Sequence, residues 1–207
     1  MPENASFAEA AALCEGGLTA LPFLRDEGKL VPGQRVLING AAGAVGNSAL
    51  QLAKAMGAEV AAVCGPHNLE LMLAQGADIA IDYQREDFTK RRETYDIVFD
   101  AVGKSSFSRC QSILAPQGAY LGTVPTPELL AQMLWTSRRG RQKARMAATG
   151  LRPARKRAAD LLVLKAYMER GALHPLIDSS FGMSEVATAH RRVETGHKRG
   201  HVILTMG

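Results

Sequence analysis

Val36-Leu37-Ile38-Asn39-Gly40-Ala41-Ala42-Gly43-Ala44-Val45-Gly46 is the stretch that decides the fold of this chain. Arg35 to Asn39 reads as a short buried strand, and residues 48–56 as a helix closed by Gly57. A glycine at the helix end fits the left-handed turn that stops a helix. Between them, Ala41-x-Gly43-x-x-Gly46 is a dinucleotide fingerprint with alanine at the first glycine position. Each small residue has a task. Ala41, after Gly40, makes the tight turn, Gly43 lets a pyrophosphate approach the backbone, and Gly46 lets helix pack on strand. The helix then aims its free N–H groups and its positive end at the anion. A loop that is glycine-rich for packing alone is the alternative.

Working outward, the pattern repeats. Strands are predicted at Glu59–Cys64, Ile79–Asp82, Tyr95–Asp100, 119–122 and His201–Thr205. Helices are predicted at 68–74, 105–114, 128–135 and 158–170, with another beginning at 184–187. Pro116-Gln117-Gly118 reads as a break. At the N-terminus, Ser6-Phe7-Ala8-Glu9 is a capping box. Its helix is expected to reach Leu13, to be interrupted by Gly16-Gly17, and to resume from Thr19 to Arg25. Short apolar strands alternating with helices predict an α/β Rossmann-type doubly wound parallel sheet in a single domain. Residues 1–32 form a helical crossover segment and 33–207 the dinucleotide-binding domain.

Composition agrees. The chain has 207 residues, 46% hydrophobic and 22% charged, enough for one core and unlike a disordered or disulfide-framework protein. No apolar run approaches the ~18 residues of a membrane span. Met1-Pro2-Glu3-Asn4 carries no secretory pattern, so a cytoplasmic location is expected. Cys14, Cys64 and Cys110 are widely spaced, without metal or disulfide spacing. They read as small buried hydrophobes. The net charge of +5 is local, because nine cations and no acids fall between Arg138 and Arg157. Nucleic acid or an anionic membrane would suit such a run. With one nearby aromatic, Trp135, and no base-stacking pattern, a solvated flap between helices is the reading preferred.

Cofactor choice is read at the end of the second strand, where an NAD site places an acid on the ribose. Cys64-Gly65-Pro66-His67-Asn68 has none before Glu70, which favours NADP(H). His67, Asn68 and Tyr83 are the partners at hand, and an exposed loop histidine is the alternative for His67. The five histidines, His67, His174, His190, His197 and His201, are scattered. No acid–base or nucleophile constellation stands out, and no catalytic residue is assigned.

The segment from Gly33 to Gly46 resembles the nucleotide-binding part of the medium-chain dehydrogenase/reductase superfamily, in its zinc-free quinone oxidoreductase branch. Gly76-Ala77-Asp78 with Ile81-Asp82-Tyr83, Tyr95-Asp96-Ile97-Val98-Phe99-Asp100-Ala101-Val102-Gly103, and the run from Ala189 to Gly200 follow in the same order. The resemblance implies hydride transfer from NADPH to a quinone or enone. It places Gly43, Ala44, Val45 and Gly46 under the pyrophosphate. Gly65, His67, Asn68 and Tyr83 fall at the adenosine end, and Ala101, Val102 and Gly103 under the cofactor. Gly122, Thr123 and Val124 border the nicotinamide, and Lys198 and Arg199 approach from the C-terminus. Cys14 and Glu15 lie near one zinc-ligand position of zinc-dependent relatives. With no second ligand, no bound zinc is expected. The resemblance further implies a homodimer through continuation of the sheet, with 119–122 near an exposed edge, and an N-terminal GroES-like domain that this chain does not include. The alternatives are a non-catalytic NADP(H)-binding or sensing module, or an inactive truncated remnant.

Overall fold

The computed structural model describes residues 1–206. Six parallel strands form the main sheet: β1 (Arg35–Asn39), β2 (Glu59–Cys64), β3 (Ile79–Asp82), β4 (Tyr95–Asp100), β5 (Leu114–Gly122) and β6 (Lys143–Arg145). Their order is β3-β2-β1-β4-β5-β6. β7 (Ile177–Gly182) and β8 (His201–Thr205) form a separate parallel pair. The helices are α1 (Phe7–Ala12), α2 (Leu18–Pro22), α3 (Ala44–Ala55), α4 (Leu69–Ala74), α5 (Phe107–Cys110), α6 (Pro127–Arg138), α7 (Ala154–Glu169) and α8 (Val186–Glu194).

Alternation along the strands divides the core. Val36 and Ile38 of β1 join Leu21, Phe23, Leu50 and Met72 on one face. Leu37, between them, joins Phe107, Ile113 and Tyr120 on the other, as the two-residue period of a strand requires. α3 and α4 therefore cover one face, and α5 and α6 the opposite one. The winding reverses between β1 and β4, which are hydrogen-bonded neighbours. A crevice opens at such a switch point beyond the strands' carboxyl ends.

Several expectations are corrected. Gly16-Gly17 does not interrupt the first helix, which runs on from Phe7 to Glu27 through two wider π-turns, Leu13–Gly17 and Phe23–Glu27. The glycines serve close packing. A β-carbon on Gly16 would lie 2.4 Å from the Ser48 hydroxyl, and one on Gly17 would lie 3.0 Å from Leu164. This helix is long and apolar enough to cross a membrane, and half of its most apolar stretch is buried in the fold. Phe23 of this helix meets Phe99 of β4 edge to face at 5.4 Å.

Pro116-Gln117-Gly118 lies inside β5, where the pairing with β4 shifts register between Tyr95 and Ile97. The irregularity admits proline in a ladder. The residues expected at a sheet edge, 119–122, are instead covered by β6, with Ala119 opposite Lys143 and Leu121 opposite Arg145.

The basic segment is no flap. It supplies the end of α6, all of β6 and the first turn of α7. Several of its cations are committed internally. Lys143 donates to the Thr136 carbonyl and Arg145 to the Glu27 carbonyl. Arg152 and Arg25 both bind Asp160, which is 1% exposed. Arg152 and Arg25 also reach Asp26, at 2.8 and 2.7 Å. This cluster fastens α7 to the first helix. Removing Asp160 leaves two partly buried guanidinium groups short of a partner, the costly way to break an ion pair. Asp160→Ala is expected to lower stability by about 2–3 kcal/mol, measured by urea unfolding.

Candidate functional site

β1 ends at Asn39, and the chain turns at Gly40 with a φ of +82°, a conformation that favours glycine. Gly43, in extended conformation, precedes α3, and no side chain caps that helix. The first-turn N–H groups of α3 have no partner within the helix. The two fingerprint glycines do different work. A β-carbon on Gly46 would sit 2.1 Å from the Gly40 carbonyl oxygen, so this glycine is required for the turn to close. A β-carbon on Gly43 meets only that same oxygen, at 3.5 Å. The space over Gly43 is one that a ligand can enter.

That space belongs to an open cleft of about 1490 Å³ along the carboxyl ends of β1, β2, β3 and β4. Gly40 and Gly43 to Gly46 form its floor. Gly65, His67 and Asn68 stand at the end of β2, Tyr83 after β3, Ala101 and Val102 after β4, and Lys198 and Arg199 on the opposing C-terminal loop. The structure thus assembles most of the expected residues around one concavity. The side-chain oxygen of Asn68 is buried there without a hydrogen-bond partner.

Five expected residues fall outside the cleft wall. Ala41 is fully buried beneath the loop. Gly103, Gly122 and Val124 line a small separate recess, and Thr123 caps the end of β4 by donating its backbone N–H to the Asp100 carbonyl. The reason is Asp100, which is fully buried. Its carboxylate accepts from Asn39, Tyr120 and the backbone N–H groups of Val102, Gly103 and Ser105. These bonds draw the 101–105 loop over the strand end and press Gly103 against Val124. Burial, followed by the neighbouring carboxylate, raises the Tyr120 hydroxyl far above its ordinary value.

The cleft also holds groups that the sequence reading did not place at the cofactor. Arg85, Lys104 and Arg109 line it, as does Glu15 from the π-turn of the first helix. Arg199 crosses the cleft to donate to the His67 carbonyl at 3.1 Å. Its loop is anchored by Asp178 of β7, which accepts two bonds from Arg192 and one from the Arg199 backbone N–H. Lys198 donates to the Gly200 carbonyl, and burial lowers its ammonium below the usual lysine range. The Gly200 N–H in turn donates to the Ala42 carbonyl at 2.8 Å. The contacts from Arg199 to His67 and from Gly200 to Ala42 are invisible locally because they join residues more than a hundred positions apart.

Reactive groups are scarce. Cys64 lies on the wall, but burial, helped by Asp82, pushes its thiol up to about 11, away from the reactive thiolate. Cys64 and Cys110 are buried, whereas Cys14 is exposed, contrary to the expectation of a buried residue. Among the described residues, no group of three His, Cys, Asp or Glu side chains is gathered closely enough to hold a metal ion. The donor set does not fit a tetrahedral zinc site.

A parallel sheet with a switch-point cleft and a glycine loop under a helix N-terminus defines a Rossmann-type dinucleotide-binding fold. The chain belongs to the zinc-binding dehydrogenase family, whose model matches residues 75–204, within the medium-chain dehydrogenase/reductase superfamily. It is 32% identical to a 2-methylene-furan-3-one reductase of Solanum lycopersicum over 210 residues, covering 98% of this chain and 48% of the relative. It is 32% identical to an NADPH-dependent alkenal/one oxidoreductase, chloroplastic, of Arabidopsis thaliana, covering 98% of this chain and 48% of the relative. The quinone oxidoreductase structure from Coxiella burnetii superposes with a TM-score of 0.86 at 30% identity, covering 99% of this chain and 62% of the other. The chain thus spans about half the length of these curated relatives.

The Asp178 anchor gives a pH signature. Arg192, the largest influence, holds its carboxyl down at about 2, against 3.8 ordinarily. Asp178 is 5% exposed and Arg192 35% exposed, so solvent screens the Arg192 side and moderates what these bonds contribute to stability. A depressed carboxylate stabilises the fold above its unfolded value and loses that effect as pH falls through its folded value. Asp178→Asn should therefore lower the melting temperature at pH 6, with the difference from the parent closing between about pH 4 and pH 2.

Proposed function

We propose that this chain binds NADPH in the cleft and forms the cofactor-binding part of a reductase acting on quinones or electron-poor alkenes. The observation that carries the reading is the unequal pair of glycines. Gly46 has no room for a β-carbon, whereas Gly43 has room that the fold itself does not use. Gly43 and the first turn of α3 would hold the pyrophosphate. Asn68, on the cleft wall, would offer its side-chain amide to a ribose hydroxyl, and Tyr83 would flank the adenosine end.

Two features favour NADPH over NADH. No acid stands in the turn after β2, and cations reach that turn from elsewhere. Arg199 already touches the His67 carbonyl, and Arg85 follows the Tyr83 side of the cleft with its side chain 87% exposed. Guanidinium groups suit a phosphate monoester. The chemistry the dinucleotide supplies when bound is hydride transfer. The chain's own residues bind and orient it, and Asp100 fixes the floor beneath it. The names of the relatives support the substrate class, since a furanone, an alkenal or enone, and a quinone share an electrophilic conjugated system.

Gly43→Val tests the reading directly. The extended backbone at Gly43 accepts a β-branched residue, and the fold offers space. Near-parental thermal stability with NADPH affinity reduced at least about tenfold, roughly 1.4 kcal/mol, is expected by fluorescence titration. Unchanged affinity would refute the assignment of the loop. Arg85→Gln with Arg199→Gln should weaken NADPH about tenfold or more while leaving NADH within about twofold, since a charged hydrogen bond is worth about 1.5–3 kcal/mol. NADPH oxidation with a panel of quinones and enones separates a reductase from a binding module. Binding without oxidation of any of them would favour the module.

A further inference from the structure

α6 packs on the sheet with Leu129, Met133 and Thr136 turned inward. Its outward side is apolar where a surface helix is ordinarily polar. Leu130, Leu134 and Trp135 are 51%, 57% and 57% exposed. The four-residue spacing of Leu130, Leu134 and Arg138 puts them on one stripe. That stripe runs into Arg138, Arg139 and Arg141, all exposed. None of these arginines has a carboxylate partner among the described residues. No acid occurs from Leu129 to Ala159, and Glu128, in the first turn of α6, accepts from Gln132.

We propose that the outward face of α6 docks on an anionic lipid surface, with Leu130, Leu134 and Trp135 entering the headgroup region and Arg138, Arg139 and Arg141 meeting the lipid phosphates. Apolar residues with a tryptophan on one face, and cations beside them, make a helix that lies in a bilayer interface. The guanidinium fork matches phosphate oxygens. Cations at the C-terminal end of a helix are favoured by its dipole, so the fold carries these arginines without strain.

Charge selects this occupant. A second copy meeting the face across a two-fold axis would bring the same uncompensated arginines against themselves. A single-stranded nucleic acid calls for several stacking aromatics, and Trp135 is the one aromatic of α6. A separate cationic group, Arg155, Lys156 and Arg157, begins α7. α6 belongs to the core of Leu37 and Tyr120, whereas α7, through Leu164 and Met168, belongs to the opposite core. Their outer sides point apart, so a flat surface that meets one does not meet the other. α6 runs from the carboxyl end of β5 to the amino end of β6. Its arginines therefore lie at the end of the sheet away from the cleft, whose wall none of the docking residues joins. Docking leaves the cleft open.

Trp135 is the single tryptophan of the chain and reports on the face directly. The full chain is titrated with vesicles of phosphatidylcholine alone, and with vesicles containing about one third phosphatidylserine. The anionic vesicles should shift the Trp135 emission to the blue and carry the protein down on sedimentation, and the neutral ones should do neither. Salt at about 0.5 M should reverse both effects. Arg138→Gln, Arg139→Gln and Arg141→Gln together should weaken vesicle binding at least about tenfold. The same loss of charge at Arg155, Lys156 and Arg157 should change it by less than about threefold, since charges held off the surface are screened. Leu134→Ser keeps every charge and should reduce both binding and blue shift. All the substituted side chains are exposed, so parent-like melting curves are expected throughout. Equal weakening by the two charge variants would reduce the effect to general attraction and overturn the proposal, as would unmoved emission with anionic vesicles. Blue-shifted emission without vesicles that reddens on dilution would show a second copy on this face and overturn it too. So would a single-stranded oligonucleotide that quenches Trp135 where anionic vesicles leave it unchanged.

Discussion

The approach of the Gly46 backbone to the Gly40 carbonyl is the constraint on which the rest of the molecule depends. With 2.1 Å between that oxygen and any β-carbon at Gly46, α3 can start at this point only if residue 46 is glycine. The start of α3 fixes which way its first N–H groups face. It also determines where Leu50 and Ala53 enter the core, and hence how β2 is laid beside β1. The same turn carries Gly40, whose own would-be β-carbon is 2.4 Å from Val102. The loops after β1 and β4 are therefore packed directly on one another at the switch point. Asp100 completes the arrangement by holding the second loop through its backbone. A carboxylate buried with five donors is a fully satisfied polar network, the kind that makes a position rigid rather than merely stable.

A second layer is non-local. The C-terminal segment returns across the molecule to brace the glycine loop, through the Gly200 N–H on Ala42, and to brace the turn after β2, through Arg199 on His67. Asp178 holds both ends of that segment together by bonding Arg192 of α8 and the backbone of Arg199. Phosphate-loop geometry is thus set by short-range sterics, and the charge facing it is set by a strand and loop some 150 residues later in the chain.

This division explains what the sequence could disclose. The loop, the order of β1 to β4 and the parallel sheet were legible because the spacing of small residues and the two-residue alternation are local signals. Tyr83, His67 and Asn68 were legible as neighbours of a strand end. β6 and β7 were not, since Lys143-Ala144-Arg145 and Ile177-Asp178-Ser179-Ser180 carry charges and hydroxyls where a strand is expected to be apolar. Their places depend on bonds to Thr136 and Arg192 that no window reveals. Gly16-Gly17 misled for a related reason. A glycine pair reads as a break on propensity, but here tertiary contact with Ser48 and Leu164 selects a continuous helix. Thr123 and Val124 lie outside the cleft wall, and the 101–105 loop beside them is placed by a buried aspartate that no local window reveals.

The separation of sterics from charge bears on how selectivity is built. In a site that reads the ribose with an acid at the end of β2, recognition and the glycine loop lie in one continuous βαβ unit. In this chain that turn is Gly65-Pro66-His67-Asn68, and the guanidinium nearest to it is delivered by the loop before β8. On the proposed reading, the pyrophosphate end and the adenosine-phosphate end would rest on different supports, Gly43 with α3 for one and Asp178 with Arg199 for the other. Disturbing β7 or β8 should shift preference between dinucleotides without touching the fingerprint. On that reading the fingerprint alone would not specify the cofactor, because the charge proposed to distinguish a phosphate from a hydroxyl is held by the fold and not by the motif.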